Sequence, residues 1–434
     1  MKSRTMTIGL IALITLALAL TIYYVQQPIV LTLGVFAGSN WDVPSPKSTK
    51  IIDQAIARFE KENPNVYVEY ESGIIKDDYS DWLTKKALKG NLPDIFMVLS
   101  DDLSSFASVG MLEDLDSWIQ NDADFDVSHF FSTSYKSGSV KDSQYTLPYE
   151  SVPTLMFVNK TLLENSGIEI PSNDWTWDDF YTICQQITQD TNGDGLLDQF
   201  GEYGYTWQNA LSSNSITLFD EDGTKSMLED DRASEAVEFV RKLNALTRGQ
   251  IVTSDMFDKG LVAFCPMRFS EYRTYKPYPW SVKKYSSFEW DCIPMPAGPK
   301  GSNVSEVETL LCGMSKNSKH KNLAWSLLKA LCYDEQTQES LFKYSQGVSV
   351  LKNISTSKTV KKYIEEDAPK EQSYNLDFFD DMMEHALIIK KFNGYDRAFS
   401  IADSEIRRMI NSEDDIPSML EKLAEELDES LSTN

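Results

Sequence analysis

The sequence predicts an α/β protein of two lobes, each built on a doubly wound, mainly parallel sheet, and three observations carry that prediction. Strand-like and helix-like periods alternate strictly through positions 29–99. The same alternation resumes after position 176. No Pro/Gly/Ser-rich or low-complexity linker separates the two stretches, so the chain is expected to cross between the lobes more than once.

The run 29–37 is almost wholly β-prone and reads as a strand buried on both faces. Ile51, Ile52, Ala55, Ile56 and Phe59 then recur at helical spacing behind Ser48-Thr49, a credible cap, and Asn63-Pro64 ends that helix. Val66, Val68 and Tyr70 alternate as a second strand. Tyr79, Trp82, Leu83 and Ala87 mark a second helix, stopped by Gly90 before a third strand at 94–99. Ligands of sheets wound this way bind beyond the carboxyl ends of the strands. In the second stretch, Thr176 with Asp179 gives a capping-box start to a helix, and Ala233, Ala236, Val237, Val240 and Leu243 mark a longer one. From position 322 helical periods dominate, and 412–434 is acidic and amphipathic.

Acidic residues outnumber basic ones, 66 against 41, for a formal charge of −25 over 434 residues. That field disfavours nucleic acid and anionic membrane as partners. Three histidines, His129, His320 and His385, form no HExxH pair, and no Walker loop, nucleophile elbow or GxGxxG is present. The five cysteines are far apart, with no CxxC, and read as small buried hydrophobes and not as a disulfide framework.

Lys2 and Arg4 precede an apolar run at 7–25, the layout of a secretory n-region and h-region. As a helix this run reaches about 28 Å, close to the hydrocarbon thickness of a bilayer. Segment 1–27 is therefore a signal peptide or a retained N-terminal membrane anchor. Ala17-Leu18-Ala19 is a cleavage pattern, but cutting there leaves an apolar remnant, and retention is the favoured reading. No Cys precedes Cys184, so an N-terminal lipid has no acceptor. The chain from Gln26 onward is expected outside the cell.

In DTNGDGLLD, Asp190, Asn192, Asp194 and Asp198 match positions 1, 3, 5 and 9 of a calcium loop, with the Leu196 carbonyl as the seventh-position donor. Gly201 stands where a bidentate carboxylate belongs, and Glu202 follows one residue late. Two readings stay open: a structural Ca²⁺ staple, and a polar turn without an ion.

Aromatics make up 12% of the chain, and several stand in polar, Pro/Gly-marked loops where core packing does not call for them. Trp41 follows Gly38-Ser39-Asn40 off the first strand. Tyr149 precedes Glu150, Trp207 closes Gly204-Tyr205-Thr206, and FSEYRTYKPYPW occupies 269–280. A flat ring flanked by carboxylates and amides suits a sugar, whose CH-rich face stacks while its hydroxyls take hydrogen bonds.

These residues resemble the extracellular solute-binding proteins of ABC importers, the class similar in fold to maltose-binding protein. The resemblance spans 29 to about 409 and rests on ordered motifs: WD at 41–42, FEKENP at 59–64, PDIF at 93–96, LPYE at 147–150, FVNK at 157–160, TWDDF at 176–180, GLVAF at 260–264 and PMPAG at 294–298. It implies a type II periplasmic-binding-protein fold with a multi-strand hinge. Lobe 1 would comprise 28–150 plus 265–314, and lobe 2 would comprise 151–264 plus 315–434. Crossings would fall near 148–154, 264–267 and 312–315. By position it nominates Asn40, Trp41, Asp94, Tyr149, Glu150, Trp207, Tyr272, Arg273 and Trp280 as ligand contacts. The implied activity is capture of a sugar or oligosaccharide by hinge closure and delivery to ABC permease subunits, performed by a monomer without catalysis. The missing lipidated Cys departs from the family's Gram-positive pattern, which keeps a ligand-presenting receptor for a membrane sensor as an alternative. A secreted glycoside hydrolase using Glu150 is another.

Overall fold

The spacing of Ile51, Ile52, Ala55, Ile56 and Phe59 does produce a helix, Thr49–Glu62, with all five side chains buried. Its apolar stripe packs on a sheet that begins with β1 (Ile29–Gly34) and β2 (Val66–Tyr70), and similar reasoning accounts for most of the first half. The computed structural model describes residues 28–41, 47, 49–71, 73–271, 288–367, 378–392 and 394–432. Segment 1–27 lies outside the described residues, and no helix among those described is long and apolar enough to cross a membrane.

β3 (Ile95–Val98) joins β1 in parallel, as β2 does on the other side. The helix Lys76–Leu88 sits against them through Tyr79 and Leu83, and the Tyr79 hydroxyl lies 2.9 Å from the Gly34 carbonyl and 3.1 Å from that of Met97. A Cβ at Gly34 would stand 2.9 Å from the Phe96 Cβ, so this close strand contact needs glycine. One detail differs from the sequence reading. β1 is not covered on both faces: Val30 is 42% exposed and Thr32 is exposed too, one strand in from the sheet edge.

After the short hairpin β4 (Ser139–Val140) and β5 (Ser143–Gln144), the fourteen-residue β6 (Thr146–Asn159) becomes the spine of the molecule. Its first half pairs antiparallel with β10 (Glu306–Met314), and its second half with β8 (Val262–Arg268) and β9 (Trp290–Ile293). β7 (Phe200–Glu202) lies parallel to β8, and β11 (Leu387–Ile388) parallel to β10. The sheet order is β2-β1-β3-β10-β6-β8-β7, so a single sheet serves both lobes and β6 is common to them. Register shifts between Leu310 and Leu311 leave Tyr149 of β6 as a bulged residue near the lobe junction; its carbonyl accepts from Gln338 Nε2 at 2.9 Å.

Side chains alternate along β6 between two cores. Leu155 and Phe157 face the first, which runs from β1, β3 and β10 along one side of β8, while Met156 and Val158 face the second. The Thr176/Asp179 capping box forms and starts the helix Trp177–Ile187 of the second core. The helix Asp231–Asn244 buries the five residues named from its spacing, and Phe239 as well. All five cysteines are buried and none is in a disulfide.

The packing divides the C-terminal third differently from the boundaries read in the sequence. The helices Lys321–Cys332, Glu335–Tyr344 and Phe379–His385 bury their apolar faces in the first core, not the second. Only Tyr395–Ile410 and Ile416–Ser432 join the second. β8 and β9, within the stretch assigned to lobe 1, pair with the second half of β6. The segments running between the cores are thus β6, the start of β10, and 386–394. Helical period alone specifies a buried stripe but not which of two sheets it lies on.

Candidate functional site

A cleft of about 1170 Å³ opens between the lobes, with the start of β10 and the end of β8 as its floor. Residues following β1 and β3 reach it, Asn40 and Ser100–Asp101 among them, where the parallel-sheet rule places a ligand. The two walls differ. The first lobe supplies Ser100, Asp101, Ser104, Ser137, Ser139 and Asp142, with Lys76 and Lys141 and the aliphatic Leu99, Leu103 and Val140 beside them, and no aromatic ring among the described residues. The second lobe and the adjoining crossing supply Trp207, Phe392, Tyr395 and Phe399.

Local sequence explains the aromatic wall. Thr206 caps the helix Trp207–Ser213 in a box with Asn209, which fixes Trp207 at its first position. The Trp207 indole N–H donates to Asp403 Oδ1 at 2.9 Å, and Arg407 Nε grips both Asp403 oxygens at 2.9 and 2.8 Å. Burial pushes the Asp403 carboxyl up, but the bonds from Arg407 and Trp207 outweigh it and hold the group below the usual carboxylate range. Gly394, at φ 88°, turns the chain into the helix Tyr395–Ile410, and the i, i+4 spacing puts Tyr395 and Phe399 on one face. Tyr395 and Phe399 stack at 5.9 Å and 14°, Phe399 and Trp207 at 5.9 Å and 28°, and Phe392 meets Tyr395 edge-on at 5.5 Å. Burial first, then the Glu306, Asp396 and Asp101 carboxylates, push the Tyr395 phenol well above its ordinary value, so it remains a neutral donor.

The cleft's charges face one another. Lys391 lies 2.8 Å from Asp101 and 4.0 Å from Asp396, Lys390 lies 3.8 Å from Glu221 and donates to Ser139 Oγ at 3.4 Å, and Arg268 is 3.5 Å from Glu308. Glu306 differs: Ser212 donates to its Oε1 at 2.7 Å, and among the described residues no cation pairs with it. Burial, opposed by that bond and reinforced by Glu308, pushes its carboxyl up to about 7. Two amide oxygens, Asn40 Oδ1 in the first lobe and Gln208 Oε1 in the second, are enclosed without a hydrogen-bond partner, and both residues line the cleft.

Of the residues the sequence nominated, Asn40 and Trp207 meet at this cleft. Trp207 is 2% exposed and anchors the aromatic stack from beneath. Tyr149 and Glu150 lie behind it, on a separate cavity of about 30 Å³ that Asn40 also reaches. There the Glu150 carboxylate accepts from the Gly347 amide at 2.7 Å and from the Ser345 hydroxyl. Trp41 is 1% exposed and belongs to the first core, away from the cleft lining. Asp94 precedes β3, at the far end of the sheet, where it accepts from Thr32 N and Oγ1 at 2.9 Å and from Ser318 Oγ at 2.7 Å. Tyr272, Arg273 and Trp280 lie outside the described residues.

The 190–198 loop turns its oxygens inward on its own backbone. Asp190 accepts from the Gly193 and Gly195 amides at 2.6 and 2.7 Å, Asp194 from Leu196 at 2.8 Å, and Asp198 from the Thr191 amide and hydroxyl at 3.0 and 2.7 Å. Among the described residues no three His, Cys, Asp or Glu side chains converge as a metal site. The amide bonds leave each carboxylate further acceptor sites, so both readings of the loop stand until Ca²⁺ is titrated.

The sequence reading missed Asp101, Glu306, Phe392, Tyr395 and Phe399. The signal available for the aromatics was their spacing, Phe392-x2-Tyr395-x3-Phe399, around a Gly that opens a helix.

Comparison with known proteins bears on this geometry. A family model for bacterial extracellular solute-binding proteins matches residues 44–338. A protein of Brucella abortus described as a binding protein is 24% identical over 302 residues, 66% of this chain and 69% of that one. Among solved structures, the cyclic α-maltosyl-1,6-maltose binding protein of Arthrobacter globiformis superposes with a TM-score of 0.76 at 16% identity, covering 94% of this chain and 100% of that one. The sugar-binding protein MalE of Xanthomonas citri gives 0.75 at 17%, covering 93% and 98%. An ABC substrate-binding protein of Listeria monocytogenes in complex with cycloalternan gives 0.65 at 19%, covering 93% and 99%. The architecture is the two-lobed type II fold.

Proposed function

Because the chain belongs to the bacterial extracellular solute-binding proteins, we propose that it captures a neutral carbohydrate in the cleft and hands it, unaltered, to an ABC permease. The observation that carries this reading is the pairing of an aromatic wall with one of hydroxyls and carboxylates. A sugar is apolar on its CH face and polar at its rim, so each side of it matches a different wall. Three of the cations that line the cleft, Arg268, Lys390 and Lys391, already have anionic partners, and Lys76 donates to the Asn40 carbonyl, which favours an uncharged guest over a phosphate or carboxylate. The cleft volume suits an oligosaccharide better than a single ring. Solved structures of similar fold from Arthrobacter, Xanthomonas and Listeria are named for sugar binding or hold cycloalternan, which supports the same class of guest.

On this reading contacts span both lobes, so the ligand favours the shut state and closure follows from differential affinity alone. The protein works as a monomer on the outer face of the membrane, exported and held by segment 1–27. No carboxylate pair is asked to do chemistry. Calorimetry against maltotriose, mannotriose, cyclic glucose tetrasaccharides, peptides and glycerol phosphate tests the proposal. At least one oligosaccharide is expected to bind and to be recovered intact. Binding confined to peptides or phosphates, or hydrolysis of the bound sugar, would overturn it.

A further inference from the structure

We propose that Glu306 ties ligand capture to proton uptake: its free carboxyl oxygen meets a sugar oxygen as a neutral, protonated hydrogen-bond donor. The inference rests on the carbohydrate reading above and adds a specificity-determining group to the cleft floor.

Glu306 opens β10, the second segment to run between the cores, and lines the cleft. Its Oε1 is held by Ser212 Oγ at 2.7 Å, from the same short helix that carries Trp207. Its Oε2 makes no hydrogen bond among the described residues and is not walled off from solvent, so it opens on the cleft. Glu308 follows on β10, and Tyr395 faces it from the second lobe. Farther along the same cleft the first lobe contributes Lys76, Asp101, Lys141 and Asp142, the second lobe Glu221, Asp222 and Asp396, and β8 and the last crossing Arg268, Lys390 and Lys391. Arg268, Lys390 and Lys391 are drawn to Glu308, Glu221 and Asp101. Among the described residues the Glu306 carboxylate therefore has no counter-ion, and its titration falls near neutrality, at about 7.

A guest that fills the cleft removes the water left at Oε2. A charged, unpaired carboxylate then loses more by desolvation than a sugar hydroxyl donating to it returns, so the bound state favours the acid form. The sign follows: a group whose pKa rises on binding supports affinity fully below its unbound value and withdraws that support as pH climbs through and above it. Capture is accordingly strongest in mildly acidic surroundings and weakens above pH 7.

The test uses the full chain with maltotriose and mannotriose as probes, by calorimetry at pH 6 and pH 8.5 and, at pH 7, in two buffers of different ionisation enthalpy. We expect net proton uptake at pH 7 and affinity about fivefold or more weaker at pH 8.5 than at pH 6, equivalent to a bound-state shift of most of one pKa unit. E306Q should abolish both the slope and the uptake, whatever its affinity at pH 6. S212A removes the bond that holds the carboxyl down and should move the midpoint of the profile upward. It carries the test alone should E306Q fail to fold. Binding with a flat profile, proton release, a slope retained in E306Q, or an unmoved midpoint in S212A overturns the inference while leaving the carbohydrate reading intact. Failure of every oligosaccharide to bind removes both.

Discussion

The two walls of the cleft are made of different chemistry and held in place by different physics. The first-lobe wall is a set of short polar side chains after β3, at the start of the helix Leu103–Ser108, at the end of the helix Ser132–Lys136 and along the β4–β5 hairpin, so it is assembled from the ends of short elements. The second-lobe wall is a run of stacked rings whose deepest member, Trp207, is locked from behind by Asp403 and Arg407. A stacking surface has to be rigid and continuous to grip a flat guest, so it is built into helices and a core. Hydrogen-bonding groups tolerate adjustment, so they sit where the chain is less tightly packed. The comparison teaches that the binding capacity of the cleft is tied to the stability of one lobe more than the other.

The strongest way to break that asymmetry is Trp207→Ala. Removing a ring this deeply buried is expected to cost about 3–5 kcal/mol of stability, read by chemical denaturation, with binding lost alongside. Ser104→Ala, on the opposite wall, should stay within about 0.5 kcal/mol. Equal effects from the two would end the distinction.

Titration sharpens the contrast. Glu202, at the end of β7, accepts from the Tyr205 amide at 2.9 Å, and burial pushes its carboxyl up to about 7 from an ordinary 4.5. A carboxyl raised in the folded state contributes stability that is fully present below the unfolded value of 4.5 and is lost as pH rises through about 7. The second lobe should therefore weaken between pH 5 and 8. Glu202→Gln keeps the acceptor for Tyr205 and should raise stability at pH 8.5 by on the order of 2 kcal/mol, with little gain at pH 5. A gain independent of pH would show that packing, not the charge, is what the substitution relieves.

Smaller effects separate stacking from positioning. Tyr395→Ala exposes the half-buried end of the stack without emptying a core site, and should weaken binding of an oligosaccharide by more than about 1 kcal/mol with a modest change in stability. Asp101→Asn cuts the partly exposed pair with Lys391, which joins the first lobe to the last crossing. It should shift affinity by about 0.5 kcal/mol, and the difference should fade at high salt.

The same contrast explains what the sequence could and could not reveal. The strands and helices of the first half are legible because each carries its own local signal: the helical spacing from Ile51 to Phe59, the alternation of β2, the stop at Gly90. The family motifs point to the fold as a whole. Membership of a lobe is not legible, because 321–386 shows helical stripes that fit either sheet, and only the route of the chain through 386–394 assigns them. Site residues chosen for lying in polar loops fare unevenly for a related reason. Asn40 and Trp207 reach the cleft, but loop position does not reveal direction, and Trp41 turns into the core while Asp94 sits at the opposite end of its strand. Tyr395 and Phe399 look like ordinary helix residues in sequence and become a wall only because a second helix places Trp207 beside them.

The smallest expected effect concerns the 190–198 loop, which lies on the second lobe but outside its aromatic wall. Its spacing matches a calcium loop for five ligands, yet spacing fixes only where carboxylates fall along the chain, not which way they face. Here Asp190 binds two glycine amides of the turn, and Asp194 and Asp198 bind the amides of Leu196 and Thr191. These bonds take only part of the acceptor capacity of the carboxylates, but the bidentate carboxylate that closes such a shell is missing from the loop, so an ion held here would be held weakly. Saturating Ca²⁺ against a chelator should therefore move the melting temperature by less than about 1 °C, and Tb³⁺ should give no sensitised emission that Asp190→Asn abolishes. A shift of several degrees would mean that the loop reorganises around the ion, and that the second lobe has a metal staple in addition to its packed rings.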